Sequence, residues 1–316
     1  MGLSGKLLQN MALPGVFIIF AIVAAAAATA TTAIIPKPGC PNKCGDVEIP
    51  FPFGFTEDCY LDDSFRLTCQ NSMTPIIGET ILVRNISIDT HEIHVMNSVG
   101  RDCYRNNNSY TNKAWLWLSQ YTISNSKNRF TVIGCDTIAY LSGFQNGEEF
   151  KIGCSSQCPT PINVGNGFCS GVGCCEVRFP YGLKNISVEV QSFHNHSDVR
   201  EFNPCGYAFV VEKGQFNFSA SYLNNYPNQT VPLVLDWAVG NLKCEKAQKE
   251  QNYACKNNSE CINIQGGYRC LCKQGYRGNP YLPQGQGGCH GIYTFFPEFN
   301  ITFYEIYFPL RFNACM

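Results

Sequence analysis

Cys255-Lys256-Asn257-Asn258-Ser259-Glu260-Cys261-Ile262-Asn263-Ile264-Gln265-Gly266-Gly267-Tyr268-Arg269-Cys270-Leu271-Cys272 sets four cysteines at the spacing C-x5-C-x8-C-x-C. Cys244 precedes the group and Cys289 closes it, so six cysteines fall within one short segment. Cross-links restrict the unfolded chain, and a segment held by them needs less buried surface per residue. The spacing by itself leaves the pairing open.

Cysteines are dense outside this segment as well, 19 in 316 residues. A reducing cytosol does not keep such a set as disulfides. Zinc is a poor alternative: Cys40/Cys44 and Cys154/Cys158 each enclose three residues, and no histidine pair follows at finger spacing. At the other end, Lys6 is the only charge before an apolar run from Met11 to Ala28, with small residues through Ala33. That is the pattern of a cleavable signal peptide over 1–33. An uncleaved segment would instead keep the protein at a membrane. Eight N-x-S/T sequons (Asn85, Asn107, Asn185, Asn195, Asn217, Asn228, Asn257 and Asn300) are expected to carry N-linked glycans. Export signal, cysteines and sequons have different physical causes and agree on a secreted, extracellular protein.

Between Cys40 and Cys205 the chain reads as mainly β. Ile81-Leu82-Val83-Arg84-Asn85-Ile86-Ser87-Ile88, Phe130-Thr131-Val132-Ile133 and Phe216-Asn217-Phe218-Ser219-Ala220 show strand periodicity. Gly, Pro and Asn interrupt these runs, and only Lys243 to Glu250 suits a short helix. The expected class is a mainly β, disulfide-rich fold: a cysteine-rich β domain over 38–210, a connecting segment over 211–243 and a small module over 244–289. Residues 290–316 form an aromatic-rich tail unlike the rest, in which Pro297 and Pro309 argue against a membrane helix. Twelve cysteines lie in the first domain (Cys40, Cys44, Cys59, Cys69, Cys103, Cys135, Cys154, Cys158, Cys169, Cys174, Cys175 and Cys205), six in the module, and Cys315 is left over. Both even counts let each unit close its own bridges, with the pairing in the first domain unknown. Adjacent Cys174 and Cys175 are expected to take different partners, because a bridge between neighbours is strained.

The six-cysteine rhythm, with Tyr268 before the C-x-C and Gly275, Tyr276 and Gly278 after it, resembles an EGF-like module. That resemblance implies the bridges Cys244–Cys261, Cys255–Cys270 and Cys272–Cys289. Upstream, Cys40-Pro41-Asn42-Lys43-Cys44-Gly45-Asp46-Val47-Glu48-Ile49-Pro50-Phe51-Pro52-Phe53-Gly54 is similar to the opening of plant wall-associated receptor kinase ectodomains. Phe65-Arg66-Leu67-Thr68-Cys69, Gly134-Cys135-Asp136, Cys169-Ser170-Gly171-Val172-Gly173-Cys174-Cys175, Pro204-Cys205-Gly206-Tyr207-Ala208-Phe209 and Trp237 continue it in order. The resemblance implies a galacturonan-binding domain with an EGF-like repeat, contacting cell-wall pectin or oligogalacturonides. Membrane receptor kinases of the same family are a further possible class of partner. Kinase signatures are missing from these residues: no Gly-rich phosphate loop with its lysine, no H-R-D and no D-F-G. The reading is a kinase-less receptor-like binder and not an enzyme. The alternative is a protein-interaction module, or a decoy, that assembles with receptors without glycan affinity.

Pectin is a polymer of uronic acids, so its binder needs cations and aromatic faces. From Cys40 to Lys243 there are 14 Lys/Arg and 19 Asp/Glu, a net of 14 − 19 = −5, which excludes attraction by overall charge. The near-neutral chain gives no reason to expect nucleic acid either. A local patch is needed, and Arg101, Arg105, Lys113, Lys127 and Arg129 face only Asp102 in the intervening sequence. Trp115 and Trp117 lie among them; the competing reading makes these tryptophans core. Cys261-Ile262-Asn263 fits the calcium-type pattern, making Asn263 a candidate ligand. Yet Asn241-Leu242-Lys243 stands where such repeats carry acidic ligands, so the set is incomplete. His91-Glu92-Ile93-His94 and His194-Asn195-His196 read as surface histidines without zinc-hydrolase spacing. No cofactor is implied.

Overall fold

The computed structural model describes residues 36–292, apart from 106, 107, 119, 146 and 168. The signal-peptide reading, the tail beyond Ile292 and the sequons Asn107 and Asn300 lie outside the described residues.

A short hairpin of β1 (Lys43–Cys44) and β2 (Val47–Glu48) opens the body. Then come β3 (Leu67–Gln70), β4 (Thr74–Ile77), β5 (Ile81–Ser87) and β6 (Glu92–Ser98). They are followed by β7 (Gly100–Arg105), β8 (Asn108–Asn112), β9 (Ala114–Trp117), β10 (Thr122–Ile123) and β11 (Asn128–Ile133). A long hairpin of β12 (Asp136–Gln145) and β13 (Glu148–Gln157) precedes β14 (Cys174–Val177), β15 (Asn185–Ser192), β16 (Cys205–Glu212) and β17 (Thr230–Asp236). The module adds α1 (Cys244–Ala247), β18 (Ser259–Ile264), β19 (Gly267–Cys272), β20 (Tyr276–Arg277) and β21 (His290–Gly291).

Three antiparallel sheets result, with strand orders β10-β17-β6-β5-β4-β3, β14-β11-β16-β7-β8 and β13-β12-β15-β9. Burial follows the side-chain period of two. In β15, Ile186, Val188 and Val190 point inward while Ser187 and Gln191 are exposed. β11 and most of β16 are buried on both faces, so they read as near-continuous apolar runs. Ala208 and Val210 face the large core, whereas Tyr207, Phe209 and Val211 join a second cluster with Phe218, Leu223 and Tyr226.

Two expectations change here. The alternation from Phe216 to Ala220 forms only one isolated bridge, Gly167 with Phe218. Its rings instead cap the second cluster, Phe216 lying 5.3 Å from Phe209. The stretch 211–243, read as a connecting segment, contains β17, which pairs with β6 and β10 and fully buries Leu233, Val234 and Leu235.

Six bridges cross-link the body: Cys40–Cys59, Cys44–Cys69, Cys103–Cys205, Cys135–Cys158, Cys154–Cys175 and Cys169–Cys174. The neighbours Cys174 and Cys175 thus take different partners. In the module Cys244 pairs with Cys261, Cys255 with Cys270 and Cys272 with Cys289. The module packs directly on the body. Val239 and Tyr268 exchange backbone hydrogen bonds of 2.8 and 3.2 Å, and Asn279 Nδ2 donates to the Phe51 carbonyl at 2.5 Å. Trp237 fills the junction, its indole edge-on to Phe53 and Phe65 and 5.7 Å from Tyr281.

Candidate functional site

β9 is the edge strand of the four-stranded sheet. Its inner residues Ala114 and Leu116 are buried, which forces Trp115 and Trp117 to the other side, where they are 64% and 70% exposed. In register across the sheet, Trp115 stands opposite Ser187 and Trp117 opposite Asn185. One strand further, Ser187 meets Ser142 and Glu189 meets Tyr140. The outer face therefore carries Trp115, Trp117, Tyr140 and the exposed Phe144, separated by hydroxyl and amide groups. Lys151 Nζ lies 4.2 Å from the centroid of the Tyr140 ring, a cation–π contact. Lys113 pairs with Glu189 at 2.9 Å, and its ammonium holds that carboxyl below the usual range.

Where the face ends, Trp117 also borders an open groove of ≈ 630 Å³. Arg66, Ser64, Thr68, Thr80 and Glu79 contribute to its wall. The Tyr121 hydroxyl, also at this groove, donates to the Ser64 carbonyl at 2.9 Å and ties β9's end to the β3 side. An aromatic plane beside hydroxyls and one guanidinium can receive a sugar ring on its apolar face and bond its polar substituents.

Of the cations singled out from the sequence, Lys113 reaches this face through Glu189, whereas Arg101, Lys127 and Arg129 are held elsewhere. Arg101 Nη2 donates to the Asn228 carbonyl at 2.8 Å, and its guanidinium sits 5.6 Å over the Tyr207 ring. Arg105 ends β7. Lys127 pairs with Glu92 at 3.1 Å. Arg129 is 9% exposed, donates to the Asn128 and Asn125 carbonyls at 2.6 and 3.3 Å, and lies 3.8 Å from Glu176. The count that set five cations against Asp102 alone is corrected: Glu189, Glu92 and Glu176 reach Lys113, Lys127 and Arg129 from other strands. The competing reading of Trp115 and Trp117 as core fails; of the three tryptophans only Trp237, 2% exposed, is buried.

Asn263 is already engaged. Its Oδ1 accepts from the Cys244 backbone N–H at 2.7 Å, and its Nδ2 donates to Glu245 at 3.0 Å. Beside it, the Lys243 ammonium donates to the Ile264 carbonyl at 2.6 Å. Among the described residues no group of three metal-ligating side chains occurs. The surface reading of the histidines is corrected for His91 and His196, which are buried, whereas His194 is exposed beside Asp136 and His94 half-buried against Glu212, each at 3.3 Å. Sequence reasoning missed Tyr140, Phe144 and Lys151. The signal was there in Tyr140-Leu141-Ser142-Gly143-Phe144, where a second ring follows at even spacing.

The described residues thus form a disulfide-laced antiparallel β body with an aromatic outer face, followed by a small six-cysteine module. The chain is similar to wall-associated receptor kinases over most of its own length. Residues 40–97 match the domain described as wall-associated receptor kinase galacturonan-binding, and residues 248–280 an EGF-like domain. The chain is 40% identical to Wall-associated receptor kinase 2 of Arabidopsis thaliana over 260 residues, 79% of this chain and 34% of that one. Wall-associated receptor kinase 5 of the same plant is 38% identical over 79% of this chain and 34% of its own. Wall-associated receptor kinase-like 10 is 26% identical over 80% and 39%. The chain thus spans about a third of the length of these curated relatives. No solved structure matches it significantly. Among the described residues no helix is long and apolar enough to cross a membrane.

Proposed function

We propose that this chain binds the galacturonan of cell-wall pectin on the Trp115–Trp117 face, as the recognition part of a wall-associated receptor-like protein. The observation that carries the proposal is the pair of exposed indoles on one edge strand. Two residues along a strand separate them by about 7 Å, a spacing on which neighbouring sugar rings of one polysaccharide can rest. Exposed tryptophan is otherwise uncommon, because its large apolar surface is normally withdrawn from water. The net charge of the body argues for contact with a few rings and local cations. Arg66 suits the carboxylate role, since its planar fork can bond both oxygens.

The test is affinity for polygalacturonate by calorimetry and bead retention, wild type against Trp115→Ala/Trp117→Ala. A loss of about tenfold or more, equivalent to ~1.4 kcal/mol, with unchanged circular dichroism, is expected. Unchanged retention in the double variant would remove the face from the account. If no galacturonan is retained by the wild type while a receptor kinase co-purifies, the protein-interaction reading replaces this one.

A further inference from the structure

We propose that an N-linked glycan on Asn185 lies over the Trp115–Trp117 face and limits how much of it a polysaccharide can reach. The consequence for binding rests on the galacturonan reading of that face; the placement of the glycan does not.

Asn185-Ile186-Ser187 is a sequon that runs along β15. Its two polar residues stand directly opposite the two indoles, Asn185 against Trp117 and Ser187 against Trp115. Direct cross-strand partners project to the same side of a sheet, with their Cβ atoms roughly 5 Å apart. On the other flank Gly143 pairs with Ile186, which brings Phe144 beside Asn185 on the same outer face. Asn185 therefore sits between two exposed rings.

The carboxamide is also oriented. Asn185 Oδ1 accepts a hydrogen bond from the Leu118 backbone N–H at 2.9 Å, turning its oxygen toward the β9 backbone. Nδ2, the atom that carries a glycan, is fixed on the opposite side of the same planar group, and among the described residues it has no protein partner. The other described sequon asparagines (Asn85, Asn195, Asn217, Asn228 and Asn257) are exposed, and none has an exposed tryptophan as strand partner. The first sugars on Asn185 would meet indole surface within their own length. Withdrawing that surface from water favours the folded-back position.

The modification is a group transfer from a polyprenyl-pyrophosphate-linked oligosaccharide in the secretory pathway. The Nδ2–C1 bond forms as the C1–O bond to the pyrophosphate breaks. The pyrophosphate leaves with that electron pair, and Nδ2 gives up one proton. Nothing is oxidised or reduced.

The chain contains three tryptophans, and Trp237 is buried, so fluorescence that acrylamide can quench comes from Trp115 and Trp117. The full chain made in a glycosylating plant host is compared with Ser187→Ala, which removes the sequon and leaves the Asn185–Leu118 hydrogen bond in place. Endoglycosidase trimming of the wild type under native conditions gives the same comparison without a substitution. Expected are a glycosylated Asn185 peptide by mass spectrometry, stronger quenching once the glycan is lost or trimmed, and about tenfold tighter retention on polygalacturonate. An unmodified Asn185 peptide, or equal quenching in both forms, overturns the proposal. Increased quenching with no polygalacturonate retention in either form keeps the glycan on the face and defeats only the galacturonan reading.

Discussion

The imidazole of His91 packs against the indole of Trp237 at a 42° tilt, ring centroids 4.6 Å apart, and its Nε2 shares a hydrogen bond of 2.9 Å with the Tyr281 hydroxyl. The same hydroxyl accepts from the Cys270 backbone N–H at 3.0 Å. One histidine thereby links a turn of the body to the module's β19. Its partner Tyr281 lies 190 residues further along the chain.

Burial, with the nearby Arg269 guanidinium, lowers the His91 pKa to about 3. In the unfolded chain the ring titrates at about 6.5. Between those values the unfolded state binds the extra proton and the native state does not, so stability falls as pH falls through that window. Above about pH 6.5 the contribution is constant. Thermal unfolding is expected to drop steadily from neutral pH toward pH 4. His91→Gln, less stable at pH 7, should show a shallower slope over the same range. An equal slope in both proteins would assign the acid sensitivity elsewhere.

Arg129 and Arg66 should separate stability from binding. Arg129→Glu places a carboxylate against two backbone carbonyls in a site only 9% exposed, and is expected to cost roughly 3 kcal/mol or more. Urea denaturation should register that loss. Arg66 is exposed at the groove beside Trp117, so Arg66→Gln should leave the urea midpoint within about 0.5 kcal/mol of wild type. It should weaken binding to polygalacturonate while sparing binding to the methyl-esterified polymer. Equal losses on both polymers would mean that Arg66 does not read the carboxylate.

The strand pattern was readable where one face is wet. In β5 Val83 and Ile86 reach the core while Leu82, Arg84 and Asn85 face solvent, the strict alternation being broken by a bulge between Val83 and Asn85. Ala114-Trp115-Leu116-Trp117 gives no such hint, because both faces are apolar; only the position of β9 at a sheet edge decides that the indoles face water. The ion pairs were hidden for a different reason. Glu189, Glu92 and Glu176 approach their cations through ladders and loop closures, which local charge counting does not see. His91 could not be placed without Tyr281, and Phe216 and Phe218 alternate as a cap on a core and not as a strand. In the sequence, Lys243 signalled an incomplete calcium set, but not that its ammonium reaches a carbonyl.

That contact yields a prediction about the module. With the Asn263 carboxamide shared between Cys244 and Glu245, and a cation at the Ile264 carbonyl, a divalent ion would have to displace existing bonds. Millimolar calcium or a chelator should leave the melting temperature unchanged. Lys243→Ala should lower stability by about 1 kcal/mol, the net value of one such hydrogen bond. A calcium-dependent rise in the wild-type melting temperature would contradict this account of the site.

The disulfides should differ in weight according to the loops they close. Cys103–Cys205 joins β7 to β16 across a sequence separation of 102, whereas Cys169–Cys174 spans 5. The entropy of loop closure gives about 4.7 kcal/mol for a loop of the first size and about 2 kcal/mol for the second. Cys103 and Cys205 also stand opposite each other in the five-stranded sheet, so their bridge ties the β7–β8 edge to the central strand. Removing both members of a bridge avoids leaving a reactive thiol. Cys103→Ser/Cys205→Ser is therefore expected to depress the melting temperature well below that of Cys169→Ser/Cys174→Ser in calorimetry at neutral pH. Equal depressions would show that native packing at the two bridges, and not the freedom restored to the unfolded chain, governs what each bridge contributes.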